Sequence, residues 1–233
     1  MAYVLGFMFA DGSLVDSDSS SRTYYLCFDN NDFYVLNAIR EAMKSNHKIY
    51  HKPPRFIKFR TKKYRSKAGY VLRIGNKKMY HDLLKLGMKH RKSLDMTLPE
   101  VPDQYFPHFL RGYFDGDGCI NLYVKPGQTT PRLTLIFTSG STDFLEEIAK
   151  KVGKLLSINP PSIYRSMGAH NLECKGIRAL KIFDYMYTDL DDAPYMRRKY
   201  LKYCDYRNNL MGPRVRKVMA FSLSVGDVDG GFH

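Results

Sequence analysis

The chain has 233 residues, and its 37 Lys and Arg residues against 23 Asp and Glu residues give a formal net charge of +14. This length permits one large domain or two small ones, and a hydrophobic content of 44% excludes a disordered chain. No apolar run reaches the roughly 18 residues of a membrane span. The four scattered cysteines form no CxxC pair, which argues against a zinc site or a disulfide framework. Composition therefore predicts a soluble, intracellular protein, without a signal or transit peptide, that binds a polyanion such as nucleic acid.

The predicted elements follow the same order in both halves of the chain. The first half has an apolar helix ending near residue 11, then strand 24–28, helix 32–43, strands 56–59 and 70–74, and helix 79–86. The second half repeats this with a helix ending near residue 117, strands 120–124 and 133–137, helix 143–156, strands 162–164 and 171–174, and helix 179–187. A basic helix over 195–210 follows. We expect halves at 1–98 and 105–210, a Pro-marked linker at 99–104, and a disordered tail at 211–233.

A short motif recurs 106 residues apart, from Gly6 to Gly12 and again from Gly112 to Gly118. In each copy two small residues lie four apart on one helix face, which lets two helix backbones approach closely. Each copy then ends in Asp-Gly, with Asp11 and Asp117 at the C-terminus of the helix, where the helix dipole disfavours a carboxylate. A lone copy is typical of a helix stop, but a doubled one places two acids together. A hard divalent cation such as Mg²⁺ would relieve their repulsion.

The positive charge is concentrated between residues 48 and 67, which contain nine basic residues and no acid. Part of this segment, 55–60, alternates apolar and basic side chains imperfectly. Such a pattern fits a basic β-ribbon that lies in a DNA groove and neutralises phosphates, although a solvated loop gives the same composition.

These residues resemble the single-chain, two-motif LAGLIDADG homing endonucleases. The motifs at 4–12 and 110–118 carry the resemblance, as does the segment 83–87 followed by Lys92-Ser93, and together they cover roughly residues 1–208. The resemblance implies an α+β fold with a pseudo-two-fold duplicated αββαββα repeat. It also implies that the two motif helices form the interface between the halves and that antiparallel β-sheets form a DNA-binding saddle.

The resemblance further implies the chemistry. Asp11 and Asp117, helped by the carbonyls of Ala10 and Gly116, would bind catalytic Mg²⁺, and Ca²⁺ would support binding without cleavage. The expected product is a double-strand break with 3′ overhangs in a long, specific double-stranded DNA target, made by a monomer that is encoded in an intron. Phe9 replaces the earlier acid of the first motif, a position that is not a metal ligand in the family.

The family also implies further polar groups around the metals. A basic residue is expected near each site. Lys77 fits this role in the first half, whereas the second half offers only Arg178 or Lys175. Asp29 and Ser139 are candidates for positioning water.

DNA contacts are expected from the strands, because Arg reads guanine in the major groove and Lys mostly contacts phosphate. The candidates are Arg22, Tyr24, Arg55, Lys58, Arg60, Lys62, Arg65, Lys67, Arg73, Asn121, Tyr123, Lys125, Arg132, Thr134, Arg165 and Lys175.

Three other functions remain open at this point. A maturase that binds host intron RNA can use the same fold, and so can a non-catalytic DNA-binding regulator. A different nuclease site is loosely matched by Pro102-Asp103 with Glu173-x-Lys175. A calcium-binding EF-hand is excluded because Cys119 and Ile120 stand where an acid and a glycine are needed.

Overall fold

The computed structural model describes residues 1–16, 24–59, 62–89, 95–128, 131–166, 168–188, 190 and 193–210. The predicted tail at 211–233 and the Lys92-Ser93 pair lie outside these residues. The first half comprises α1 (Ala2–Ala10), β1 (Gly12–Val15), β2 (Tyr25–Asn30), α2 (Phe33–Ala42), β3 (Ile49–Lys52), β4 (Phe56–Phe59), β5 (Lys62–Arg65), β6 (Gly69–Gly75) and α3 (Lys77–Lys85). The second comprises α4 (Phe106–Asp117), β7 (Gly118–Tyr123), β8 (Arg132–Ser139), α5 (Thr142–Leu156), β9 (Ser162–Ser166), β10 (Ala169–Lys175) and α6 (Ile177–Met186), and α7 (Arg197–Leu210) follows.

Two antiparallel four-stranded sheets confirm the predicted duplicated α+β fold. Their strand orders, β1-β2-β6-β3 and β7-β8-β10-β9, are equivalent. The first half differs by an additional hairpin, β4-β5, inserted between β3 and β6, and this hairpin is the basic ribbon that the charge pattern favoured. No helix within the described ranges is both long and apolar enough to cross a bilayer.

Each sheet buries one face against helices. Strand residues that alternate along β2 and β6, such as Leu26, Phe28 and Leu72, are almost completely buried, and Leu135 and Leu172 occupy the same layer in the second half. Three helices, α2, α3 and α5, are capped at their N-termini by Asp32, Asn76 and Ser141. The side chain of each cap accepts a hydrogen bond from a backbone N–H in the first turn of its helix. The opposite face of each sheet is therefore left for solvent or a partner.

The motif helices α1 and α4 pack directly against each other at the centre. A Cβ on Gly6 would lie 1.9 Å from the Phe109 carbonyl oxygen, and one on Gly112 would lie 2.0 Å from the Tyr3 carbonyl oxygen. Only glycine permits such an approach at these two positions. The two contacts are related by the same 106-residue offset as the motifs, so the helices run in parallel about a pseudo-two-fold axis.

One equivalent pair across this axis is chemically different. The Tyr3 hydroxyl donates to Asp115 Oδ2 at 2.9 Å, whereas at the related place Phe109 meets Phe9 edge to face with ring centroids 5.9 Å apart. The interface thus has one polar and one apolar version of the same contact.

Candidate functional site

The last turns of α1 and α4 bring the two motif aspartates together. Asp11 directly follows α1 and Asp117 ends α4. A Cβ on Gly116 would lie 2.3 Å from Ala10 Cβ and 3.5 Å from Asp11 Cγ, so the glycine lets the two helix ends touch. The pKa of the Tyr113 hydroxyl is raised mainly by burial, and the negative charges of Asp117 and Asp11 raise it further. Both acids therefore lie at the junction of the halves, at the ends of two touching helices and close enough to influence the same tyrosine.

Polar residues at the end of a strand border this pair. Asn30, the last residue of β2, donates from Nδ2 to Asp11 Oδ2 at 2.7 Å, and its own oxygen accepts the Asp32 backbone N–H at 2.9 Å. Ser139, the last residue of β8, occupies the equivalent place in the second half and contacts Tyr113. Asp29 instead pairs with Lys52. Asn30 was not singled out by the sequence, although it follows Asp29 directly.

Lys199 of α7 is a second residue that the sequence did not indicate. Its Nζ donates to the carbonyls of Phe114, Asp115 and Gly118 at 2.5, 2.9 and 2.6 Å, and so closes the C-terminus of α4 around Asp117. Burial lowers the pKa of Lys199 to about 8, while the charges of Asp115 and Asp11 oppose that shift. A cation at this place offsets the negative end of the helix dipole.

Asp115 fixes α7 in this position. Its carboxylate is fully buried and accepts from the hydroxyls of Tyr3 and Tyr187 and from the Met196 backbone N–H, at 2.9, 2.8 and 2.7 Å. Burial raises the pKa of Asp115, whereas the charge of Lys199 and these hydrogen bonds lower it. The earlier acid of the second motif is therefore a structural anchor for α7.

The oxygen donors at the helix ends suit a hard divalent cation. Carboxylates and backbone carbonyls are the ligands that Mg²⁺, Mn²⁺ and Ca²⁺ prefer, and Asp11 and Gly116 line an open cleft. Among the described residues, no group of three or more His, Cys, Asp or Glu side chains could hold a metal. Two carboxylates and two carbonyls leave part of an ion's coordination to other ligands, unlike a closed structural site.

The basic residues expected beside the aspartates lie elsewhere. Gly12, which follows Asp11, pairs with Phe28, and Phe28 pairs with Leu72, so Leu72 is the residue of β6 level with this end of the sheet. Gly75 lies three positions, or about 10 Å, farther along β6, and Lys77 comes after it. Lys77 Nζ lies 5.6 Å from the Tyr24 ring centroid. The antiparallel run of β6 carries Lys77 away from Asp11, so the structure does not bring them together.

In the second half, strand direction likewise separates the basic candidates, Lys175 and Arg178, from the end of α4. Lys175 pairs with Thr134, three positions from Phe137, the partner of Gly118, and forms an ion pair with Glu173 at 2.5 Å. Arg178 lies beyond it at the start of α6. The structure places Lys199, rather than Lys175 or Arg178, at the end of α4.

The outer face of the second sheet presents most of its predicted DNA contacts. Asn121, Thr134 and Lys175 form one row across three strands, and Tyr123 pairs with Arg132 beside it. Lys125 follows in the exposed turn after β7. Arg165 instead pairs with His170, two residues from buried Leu172, and therefore lies on the helix side of the sheet.

In the first half, Arg73 lies on the outer face, 5.6 Å from the Tyr25 ring centroid. Tyr24, the residue expected there, packs on the helix side against Tyr80, with ring centroids 4.7 Å apart. A shift of one residue along a strand reverses the face, so Tyr25 takes the outer position.

The remaining described residues that were predicted to contact DNA lie in the ribbon and in the loops beside it. Lys58 pairs with Lys63 and Phe56 with Arg65 in the hairpin, while Arg55 and Lys67 line an open cavity next to Asp29. The backbone of Lys62 lies in β5. Arg22 and Arg60 lie outside the described residues.

Comparisons with known proteins agree with this architecture. Residues 108–160 match the family model described as a LAGLIDADG-like domain. The meganuclease I-SmaMI bound to uncleaveable DNA is similar over 100% of this chain and 97% of its own, with a TM-score of 0.60 and 11% identity. The LAGLIDADG homing endonuclease I-LtrWI bound to target DNA is similar over 88% of this chain and 87% of its own, with a TM-score of 0.54 and 14% identity. A variant of I-DmoI in complex with its target DNA in the presence of Mn is similar over 83% of this chain and 96% of its own, with a TM-score of 0.52 and 15% identity.

A curated relative matches only part of the chain. The reverse gyrase of Methanocaldococcus jannaschii is 29% identical over 105 residues, which are 45% of this chain and 6% of that protein. The match therefore spans a small fraction of the relative.

Proposed function

Since the chain carries a LAGLIDADG-like domain and has the fold of the single-chain LAGLIDADG homing endonucleases, we propose that it is a site-specific DNA endonuclease. It depends on a divalent metal, Mg²⁺ in the cell, cuts both strands of a long double-stranded target and leaves 3′ overhangs. The observation that carries this proposal is the convergence of Asp11 and Asp117 at the ends of two touching helices.

A divalent ion bound by these residues would supply a Lewis acid that polarises phosphate and lowers the pKa of water. Asp11 and Asp117 would hold it, together with the carbonyls of Ala10 and Gly116. Asn30 orients the Asp11 carboxylate through its 2.7 Å hydrogen bond. The Mn-containing complex of the similar I-DmoI variant supports divalent metal use.

The remaining residues bind and orient DNA. Arg73 on one sheet and the row of Asn121, Thr134 and Lys175 on the other offer donors for base edges and phosphates. One chain provides both motifs, which supports a monomeric enzyme. The four free cysteines fit a reducing compartment inside the cell.

The test begins with the full chain and a plasmid whose insert joins the two DNA flanks of the intron in which the gene is expected to lie. Double-strand ends formed in Mg²⁺ are captured by adapter ligation and sequenced, which yields the position of the cut and the polarity of the overhang. We expect one cut site at the junction of the flanks, with 3′ overhangs. If the insert is not cut in Mg²⁺ or Mn²⁺, the proposal is wrong.

The second step uses Asp11→Asn and Asp117→Asn with Asp103→Asn as the matched control. Asp103 is an exposed acid in the turn before α4, paired with Lys151 at 3.0 Å, and it belongs to the competing PD-(D/E)xK pattern. Both motif variants should lose double-strand cleavage and retain binding in Ca²⁺, while the control cuts normally. Cleavage that survives in both motif variants but is lost in the control would transfer the active site to the competing pattern.

A further inference from the structure

Three neighbouring rings lie beside Asp11 on the surface. Phe33 and Tyr34 begin α2 and are 40% and 82% exposed, and Tyr70 of β6 adjoins Phe33 with ring centroids 5.3 Å apart. We call Phe33, Tyr34 and Tyr70 the aromatic shelf. The shelf lines an open cleft of about 680 Å³ that also contains Asp11 and Gly116. Single exposed rings are common on protein surfaces, but adjoining ones at a site mark a binding surface.

The chain holds the aromatic shelf in a fixed relation to Asp11. Asp32 caps α2 by accepting the Tyr34 backbone N–H at 3.0 Å, and Asn30 accepts the Asp32 N–H while it donates to Asp11. Only one residue, Asn31, separates Asn30 from the cap. The rings are therefore attached to a helix N-terminus whose cap is linked by hydrogen bonds to the motif aspartate.

The charges of the cleft select the kind of group that fits the aromatic shelf. Its wall contains the carboxylates of Asp11 and Asp32, the carboxylate of Asp29 that Lys52 neutralises, and one guanidinium, that of Arg198. This excess of negative charge disfavours a phosphate directly against the rings. The uncharged face of a nucleobase suits them, because base–aromatic stacking needs no particular sequence or charge.

The second half has no Phe or Tyr ring at the three equivalent positions, and His170 of β10 stands where Tyr70 stands in β6. Ser141 caps α5 as Asp32 caps α2, so Thr142 and Asp143 take the places of Phe33 and Tyr34. The aromatic shelf therefore exists on one side of the pseudo-two-fold axis only.

We propose that the aromatic shelf stacks on a base of the DNA strand that passes Asp11, next to the bond to be cut, and so makes cleavage of the two strands unequal. This inference rests on the proposed endonuclease function. Apolar side chains that enter the minor groove of DNA can unstack a base step. Phe33 and Tyr34 are exposed at the start of α2, in the same cleft as Asp11.

The test uses the duplex that the full chain cuts, labelled on each strand with a different dye. Tyr34→Ala is compared with Tyr34→Phe and with Tyr105→Ala, an exposed tyrosine at the opposite end of α4. We expect Tyr34→Ala to slow cleavage of one strand about 5- to 150-fold more than the other. Tyr34→Phe and Tyr105→Ala should keep the wild-type ratio of strand rates.

A second measurement reports the contact itself. With 2-aminopurine placed in turn at each central position and Ca²⁺ in place of Mg²⁺, the wild type should change the fluorescence at one position, and Tyr34→Ala should abolish that change. A wild-type strand ratio in Tyr34→Ala, an equal slowing of both strands, or an unchanged 2-aminopurine signal would overturn the inference. A wild type that does not cut this duplex at all would instead overturn the endonuclease proposal.

Discussion

Replacing Gly112 by alanine tests whether the contact between α1 and α4 builds the site. In an exposed helix this change stabilises a protein by about 1 kcal/mol. Here the new Cβ would lie 2.0 Å from Tyr3 O and 2.8 Å from Phe7 N, both backbone atoms that cannot turn aside. The helices would have to separate by about 1.4 Å to restore van der Waals contact.

The steric cost should exceed the gain in helix propensity. Overpacking costs about 1–3 kcal/mol, and the rigid neighbours place Gly112→Ala at the upper end, so we expect a net loss of about 2 kcal/mol. For a chain of this length that loss lowers the melting temperature by about 4–8 °C. A shift of about 1 Å between catalytic groups costs about 100-fold in rate, and cleavage should fall accordingly.

Calorimetry and the cleavage assay on the same duplex measure both effects. The matched control is Gly153→Ala in α5, where the new Cβ would meet Pro160 Cγ at 3.1 Å and Ile158 O at 3.2 Å. The control should change stability by less than about 1 kcal/mol and should leave cleavage intact. A melting temperature of Gly112→Ala equal to or above that of the wild type would refute the reasoning.

Three other outcomes are expected. With a thiol reagent at pH 8, exposed Cys119 should react quickly in the native chain, whereas Cys174, whose pKa burial raises to about 12, should react only after denaturation; simultaneous reaction of both would contradict the core. Asp115→Ala should cost about 3–5 kcal/mol in urea unfolding, because it removes the acceptor of three buried hydrogen bonds and the negative charge that favours the nearby Lys199 cation; a loss below about 1 kcal/mol would argue against the anchor. Ca²⁺ should raise the melting temperature of the wild type but not that of Asp117→Asn, and an equal rise in both would place the ion elsewhere.

The helices and the central pair of acids could be predicted from sequence because their signals repeat. The 106-residue offset aligns two copies of one motif, and the small residues at Gly6 and Gly112 imply the close approach that the structure shows. The fold class follows from the same repeat. The strands β1, β3 and β5 were not predicted: each has four residues, and none has the apolar and basic alternation by which the equally short β4 was recognised.

The burial of Lys199 could not be predicted from composition. One lysine among 37 basic residues is expected on the surface, yet Met196, Lys199, Tyr203 and Tyr206 recur at helical spacing and are all buried. That spacing was the available signal. Lys77 was expected beside the aspartates for a different reason. The direction of β6 depends on strand pairing, which residue order alone does not reveal, and that direction places Lys77 away from Asp11.

The unlike pair at the helix interface determines which halves can join. If two copies of the first half met, Tyr3 would face Phe9, and its hydroxyl would have no carboxylate to bind. If two copies of the second half met, Asp115 would face Phe109 and would lose a hydrogen bond inside the core. Only the mixed pairing satisfies both the Tyr3 hydroxyl and the Asp115 carboxylate, so the two sides of the molecule differ. If the proposed function holds, this asymmetry suits a target that is not a palindrome.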